Sequence, residues 1–302
     1  PNNSFGAFLD KKIRQLFVPW LVFSVFDIVL SQIITFNEHD SLLEELKWNF
    51  LQIRGQGDQI WFVAALFVAF IPFYFFIRFY ESKPQKINGG GYCNKCVVAI
   101  ALAWLLSFSS ILYTRLVPAD IFPWNTTSLP WHIEYMFQAM FYMVLGYMFR
   151  HNMEAEFDKC NTLKLRIVAL LVYLVLVFVP FFGKVKMPMV VDILYHYLTV
   201  VVGIATLILI AKEIKANRYI NYVGQNTLIY FALHGKALSV IQTLLKKFAV
   251  GFYSAVLNNV ALSSVFCLGL SLVLSVILIV PTYIINRWFP FIVGRKSIKI
   301  EK

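Results

Sequence analysis

Apolar residues along this chain gather in long runs, and short polar segments, most of them basic, separate the runs. A helix that crosses the hydrocarbon core of a bilayer needs about 20 predominantly apolar residues. Eight stretches reach or approach that length: Leu16–Phe36, Ile60–Ile77, Val97–Val117, Ile133–Phe149, Leu165–Phe182, Val190–Ala211, Tyr219–Leu238 and Leu257–Ile285. The seventh is the most polar, with Asn221, Gln225, Asn226 and His234 inside it. The eighth is long enough to tilt, or to bend near Pro281. No ten-residue pattern of alternating polarity appears, which argues against a β-barrel. The pattern predicts an all-α fold, a polytopic membrane helix bundle of about eight transmembrane helices forming one domain over residues 1–302. Residues 1–15 precede the first run. Within them, Ser4–Gln15 sets Phe5, Phe8 and Leu9 against Lys11, Lys12 and Arg14, the pattern of a juxtamembrane amphipathic segment.

Basic loop residues set the orientation of such a bundle. With the start of the chain on the cytoplasmic side, nineteen Lys and Arg fall inside and eight outside. The first outer loop, with Glu38, Asp40, Glu44, Glu45 and Asp58, agrees. The expectation is a multi-pass protein integral to the plasma (inner) membrane, with both termini of this chain cytoplasmic. The chain opens on Pro1 with no signal peptide before the first run, as a trimmed N-terminus would.

Composition sharpens the class. Of the residues, 59% are hydrophobic and only 14% charged, against about 45–50% and about 25% in an ordinary soluble domain. So little polar side chain cannot coat a water-facing surface, which excludes a soluble enzyme, a disordered regulator and a disulfide scaffold. A net charge of +11 raises the question of nucleic acid. Its basic residues sit in short loops between apolar runs, so the partner is the lipid bilayer and no nucleic acid is expected.

Cys93 and Cys96 form a CxxC in an inner loop, with Cys160 and His151 on the same side. A structural zinc site takes four ligands, and one isolated CxxC in a reducing compartment reads better as two ordinary thiols. No metal is expected. Gly89–Gly91 lacks the Lys-Ser/Thr of a phosphate loop.

Polar groups at membrane depth need a reason, because an ionisable side chain near a span centre costs about 2.5–3.5 kcal/mol on insertion scales. Asp27 lies near the middle of the first span. At about 1.5 Å per residue, His132 and Glu134 sit at the outer mouth of the fourth span and Tyr142 roughly 12 Å deeper. Asp192 marks the rim of the sixth, with His196 about two turns in. His234 lies in the outer third of the seventh beside Lys236, and Asp58 and Trp61 open the second. Acid, base and aromatic groups from five segments thus converge on the outer side, where a polar ligand would enter. The cytoplasmic side gathers Lys11, Lys12 and Arg14 with Arg150. Topology alone would explain that cluster, and so would a landing site for an anionic phosphorylated donor.

Four segments carry a resemblance. The run Phe8-Leu-Asp-Lys-Lys-Ile-Arg-Gln-Leu-Phe-Val-Pro-Trp20 is followed by Trp61-Phe-Val-Ala-Ala-Leu-Phe67. Next come Leu129-Pro-Trp-His-Ile-Glu134 and Phe141-Tyr-Met-Val-Leu-Gly146, and then Tyr222-Val-Gly-Gln-Asn-Thr-Leu-Ile-Tyr-Phe-Ala-Leu-His234-Gly235. In this order they make the chain similar, over nearly its whole length, to the membrane acyltransferase-3 family and to its fucose 4-O-acetylase-like branch. Members of that family typically have ten spans, the first carrying a His taken as catalytic base. None of the histidines here (His39, His132, His151, His196, His234) precedes Lys11, so the chain looks like a member lacking its first two helices. Gln15 stands where many relatives have Arg, which leaves Lys12 and Arg14 to carry the charge.

The resemblance implies transfer of an acetyl group from cytoplasmic acetyl-CoA to a hydroxyl of a cell-surface or exported glycan, the acceptor being a glycan or a lipid-linked saccharide. The depth map fits that division of labour, with the donor at Lys12, Arg14 and Arg150 and the acceptor at Trp61, His132, His196 and Lys236. Glu134 would orient the acceptor, while His234, Tyr142 or Lys236 would polarise the reacting carbonyl. Two other classes compete: a transporter or flippase of lipid-linked sugars, for which no inverted repeat is found, and a non-catalytic truncated homologue.

Overall fold

The structure is a computed structural model, and it describes residues 4–34, 41–51, 60–82, 94–123, 127–183, 186–215 and 217–295. Pro1, Glu38, His39, Asp40, Asp58, Gly89–Gly91 and Cys93 lie outside the described residues. The described helices are α1 Phe5–Lys12, α2 Val18–Ile34, α3 Leu42–Leu51, α4 Trp61–Ser82, α5 Asn94–Leu116, α6 Met136–Met148 and α7 Glu154–Cys160. They continue with α8 Leu163–Gly183, α9 Met189–Ala211, α10 Arg218–Gln225, α11 Thr227–Phe248, α12 Val250–Asn258, α13 Val260–Ile277 and α14 Ile279–Trp288. Among the described residues there is no strand. The fold is an all-α polytopic membrane bundle.

Among the described residues seven helical segments are long and apolar enough to cross a bilayer: Phe5–Leu30, Trp61–Glu81, Cys96–Leu116, Leu163–Pro180, Met189–Ala211, Thr227–Phe248 and Val260–Trp288. The first absorbs the basic segment at the chain's start. Ser4 caps α1 through its Oγ, which accepts from the Ala7 N–H at 3.4 Å. A π turn over Ile13–Phe17 then carries the chain into α2, so the amphipathic stretch is the opening of a membrane-length helix rather than a separate surface helix. The fourth apolar stretch is not a single long helix. It enters through a 3-10 turn over Pro130–Tyr135 and is α-helical only over α6, before a π turn at Phe149–Met153. The seventh is displaced toward the C-terminus, because Asn226 leaves helical geometry (φ −114, ψ 16) and separates α10 from α11. The eighth breaks at Leu278. Pro281 lacks the N–H that would bond the Ile277 carbonyl, and α13 ends there.

Two compact units can be distinguished. One comprises Pro1–Tyr74, Ala119–Met136 and Arg218–Lys302, and the other Phe75–Pro118 and Phe137–Asn217. In the first, the N-terminal helix packs antiparallel on α4. Phe5 and Phe8 meet Tyr74 at ring distances of 5.3 and 4.7 Å, Lys12 Nζ stands 3.5 Å from the Phe70 ring, and Phe17 meets Phe67 at 5.6 Å. Lipid tails are as apolar as these side chains, so close packing rather than escape from water holds such helices together. Aromatic pairs add about 0.5–1.5 kcal/mol each. The core of this unit is Trp20, Phe23, Ile60, Val63, Ala64, Ile229 and Ala232.

In the second unit α8 and α9 run closely together. A Cβ on Gly203 would lie 2.8 Å from Tyr173 Cε2, so glycine is what lets the ring in. The Tyr195 hydroxyl donates to the Leu176 carbonyl at 2.6 Å, and Ser107 bonds Tyr197 across to α5 at 2.6 Å. Beyond the end of α9, Lys212 bridges to Asp158 at 2.5 Å and to Glu154 at 2.9 Å. These bonds, the Asp158 one first, hold its ammonium above the usual lysine range.

Candidate active site

The 3-10 turn before α6 holds an unusual backbone. Trp131 (φ 61, ψ 17) and His132 (φ 52, ψ 40) are both left-handed, a conformation that costs an L-residue with a bulky side chain about 1–3 kcal/mol. Two such residues in succession persist only where their surroundings over-determine them. Here they do. Glu134 folds back so that its Oε2 accepts from the Leu129 N–H at 2.9 Å, while its Oε1 lies 3.2 Å from His132 Nδ1. Trp131 lies flat against Phe17, with centroids 5.9 Å apart and planes at 7°, and tilts against Trp20 at 4.8 Å. Pro130 opens the turn with its fixed φ.

The turn buries a His–Glu pair. His132 is 1% exposed and Glu134 4%. With Nδ1–H donating to the carboxylate, Nε2 carries the lone pair. Among the described residues Nε2 has no hydrogen-bond partner. The Trp61 ring stands 4.6 Å from the imidazole and is itself 39% exposed, and Tyr135 closes against both rings. A base whose tautomer is fixed by a buried carboxylate, beside an open indole face, can take a proton from a hydroxyl held on that face.

Other expected site residues fall in the same unit. His234 on α11 has Nδ1 2.6 Å from the Phe231 carbonyl, which likewise leaves Nε2 with the lone pair. Phe231 meets Phe62 at 4.5 Å, so His132 and His234 are both anchored at the start of α4, through Trp61 and Phe62. Lys236 Nζ is 3.2 Å from Asp27 Oδ1, so its charge is met within the chain and it borders an apolar cavity of about 530 Å³ between α2, α11 and α14. Lys12 is half-buried over Phe70, and Arg14 pairs with Asp10 at 2.9 Å on the exposed side of its helix. The depth map set Lys12 and His132 at opposite mouths of the membrane. Trp131, next to His132, instead stacks on Phe17, only five residues and roughly 8 Å along the helix from Lys12.

A sequence model of the acyltransferase-3 family, described as an acyltransferase domain, matches residues 1–280. The chain belongs to the acyltransferase-3 family. It is a membrane acyltransferase, and the His132–Glu134 turn lies within the matched residues. No curated protein and no solved structure matches the chain.

Three further residues expected in the site of this acyltransferase, Tyr142, Arg150 and His196, belong to the second unit. Tyr142 is half-buried against Phe141 at 5.1 Å, Arg150 is exposed in the π turn after α6, and His196 is exposed on α9 with its ring 6.2 Å from Tyr197. Asp192, one turn earlier, pairs with Arg115 at 3.2 Å. Among the described residues no group of three or more His, Cys, Asp or Glu could hold a metal ion. The polar network on the first unit's last turn went unremarked in the sequence. The buried Asn226 donates to the Tyr222 carbonyl and accepts from Asn286 at 2.7 Å each. Arg295 donates to Asn286 Oδ1 at 2.7 Å and to the Gln225 carbonyl at 2.8 Å. In the sequence Arg295 counts only as a topology charge. Two asparagines inside apolar runs and a glycine just before the arginine were the available signal.

Proposed function

We propose that this acyltransferase is an O-acetyltransferase of the plasma membrane that moves an acetyl group from cytoplasmic acetyl-CoA to a saccharide hydroxyl on an exported or cell-surface glycan. The observation that carries the reading is the buried His132–Glu134 pair in a strained turn beside an open Trp61 face, in a family whose members transfer acyl groups. A sugar stacked by its C–H face on Trp61 brings a hydroxyl to His132 Nε2. The imidazole takes the hydroxyl proton as the oxygen attacks the thioester carbonyl carbon. The new C–O bond forms, the C–S bond breaks, and the departing sulfur takes the proton from the imidazolium. Glu134 acts through His132, holding the tautomer and steadying the transient imidazolium. His234 Nε2, on the same unit, becomes a donor to the developing oxyanion only when its imidazole is protonated. The short path along the first helix from Lys12 to the Trp131 contact supports direct transfer from donor to acceptor, with no acyl group parked on the protein.

The test uses the chain in proteoliposomes with radiolabelled acetyl-CoA and a mixed glycan acceptor. His132→Gln lowers turnover by about 100-fold or more, the range of a lost general base. Glu134→Gln lowers kcat with little change in KM, and Glu134→Asp restores part of it. Wild-type rates in both variants reject the base assignment. Saccharide movement across the vesicle wall without acetyl-CoA would favour the transporter reading instead.

A further inference from the structure

The first unit holds a second polar site, to which residues past the matched 1–280 contribute Val293, Gly294 and Arg295. A cavity of about 250 Å³ is lined by Gln15, Gln225, Asn226, Gly294 and Arg295 among others. Its walls come from three places in the sequence: the π turn between α1 and α2, the turn between α10 and α11, and the turn after α14. Positive-inside charge bias puts all three at the cytoplasmic end. The arginine is held in one orientation by Asn286 and by a backbone carbonyl, both neutral. Among the described residues no carboxylate pairs with it, in contrast to Arg14, Arg115 and Arg166. Those two bonds occupy two of its five N–H donors, and the rest of the fork is uncommitted. Neither the Gln15 nor the Gln225 carboxamide has a hydrogen-bond partner among the described residues.

We propose that this cavity is a phosphate-ester site, and that the phosphate belongs to the cytoplasmic acyl donor. A planar fork with no carboxylate partner, flanked by two free carboxamides, matches a phosphate better than a carboxylate or a neutral sugar. The volume falls below that of pockets that enclose a whole drug-sized ligand. It therefore takes the charged end of a longer molecule and leaves the remainder outside. Gln15 ties the cavity to the catalytic turn, since two residues later Phe17 stacks on Trp131. The donor assignment rests on the proposed acetyl transfer; the phosphate chemistry does not.

Binding is measured without turnover, on the whole chain in nanodiscs of neutral lipid, with coenzyme A as probe. Arg295→Met weakens coenzyme A about tenfold and Arg295→Lys less, because a point charge loses the fork geometry. Gln225→Leu weakens it too while leaving the backbone carbonyl that positions Arg295, so the site remains testable if Arg295→Met fails to fold. A parallel arm measures retention of phosphatidylglycerol by native mass spectrometry. If the variants lose this lipid and keep coenzyme A, the phosphate ester is a lipid headgroup's and the donor assignment falls. Unchanged affinity for both ligands in Arg295→Met and Gln225→Leu overturns the site altogether. A protein that binds coenzyme A through Arg295 yet transfers no acetyl group would sink the proposed reaction and leave the site standing.

Discussion

Lys236 and Asp27 meet at 3.2 Å, each about a fifth exposed, on two helices of membrane length. Each charge alone at that depth would be costly, and together they offset one another. The partner left behind decides the outcome of a substitution. Lys236→Met removes the ammonium that faces Asp27 and is expected to destabilise by about 1–3 kcal/mol, whereas adding Asp27→Asn recovers most of that loss. Thermal unfolding of the two single variants and the double variant in one detergent measures the coupling. Strictly additive effects would show that the pair stabilises nothing. Asp27 and Lys236 each stood out in the sequence, but their pairing did not, because it depends on how two helices more than 200 residues apart are rotated. The left-handed Trp131 and His132 were equally hidden. Neither is a glycine or asparagine, so no local residue signals a positive φ there, and only the return of Glu134 and the rings around Trp131 impose it.

Gly294 shows at the element scale what a single backbone position can hold. It ends the turn after α14 at φ +68, and a Cβ there would run into the Arg14 carbonyl oxygen. Two costs follow for Gly294→Ala: about 1–2 kcal/mol for left-handed backbone, and a backbone contact that cannot swing aside. Asparagine tolerates the conformation but carries the same Cβ. Gly294→Ala and Gly294→Asn are therefore both expected to lower the melting temperature. Rescue by asparagine would mean that the dihedral alone matters and the approach to Arg14 does not. The helices themselves were largely legible, because runs of about twenty apolar residues leave the chain few alternatives in a bilayer. Their ends were less so. The boundary at Asn226 was missed because its side chain bonds back to Tyr222 and its carbonyl takes both the Ile229 and the Tyr230 N–H, none of which a hydropathy window sees. That same misplaced boundary hid the Arg295 cavity.

For the whole molecule the open quantity is parity, seven crossings or eight. Among the described residues seven helices have membrane length, but α6 falls short at about 20 Å of rise, against a hydrocarbon core of about 30 Å. Charge argues for eight. If the Ile133–Phe149 segment turned back, every later loop would change sides, and the Lys and Arg would divide twelve inside to fifteen outside instead of nineteen to eight. Geometry permits the crossing, since the π turn over Phe149–Met153 extends α6 to roughly 27 Å, close to the thickness of the hydrocarbon core. Crossing through so irregular a segment has a consequence for the site. A straight helix here would release Trp131 and His132 from their left-handed turn, so the same irregularity that shortens α6 also sets the His132–Glu134 pair. With the native cysteines replaced by serine, single cysteines at Ser4 and Lys215 should react only with a reagent admitted to the cytoplasmic side. Cysteines at Lys186 and Asn259 should react only from outside. Lys186 and Ser4 labelled from one common side would leave seven crossings and withdraw the charge argument on which the donor's cytoplasmic entry depends.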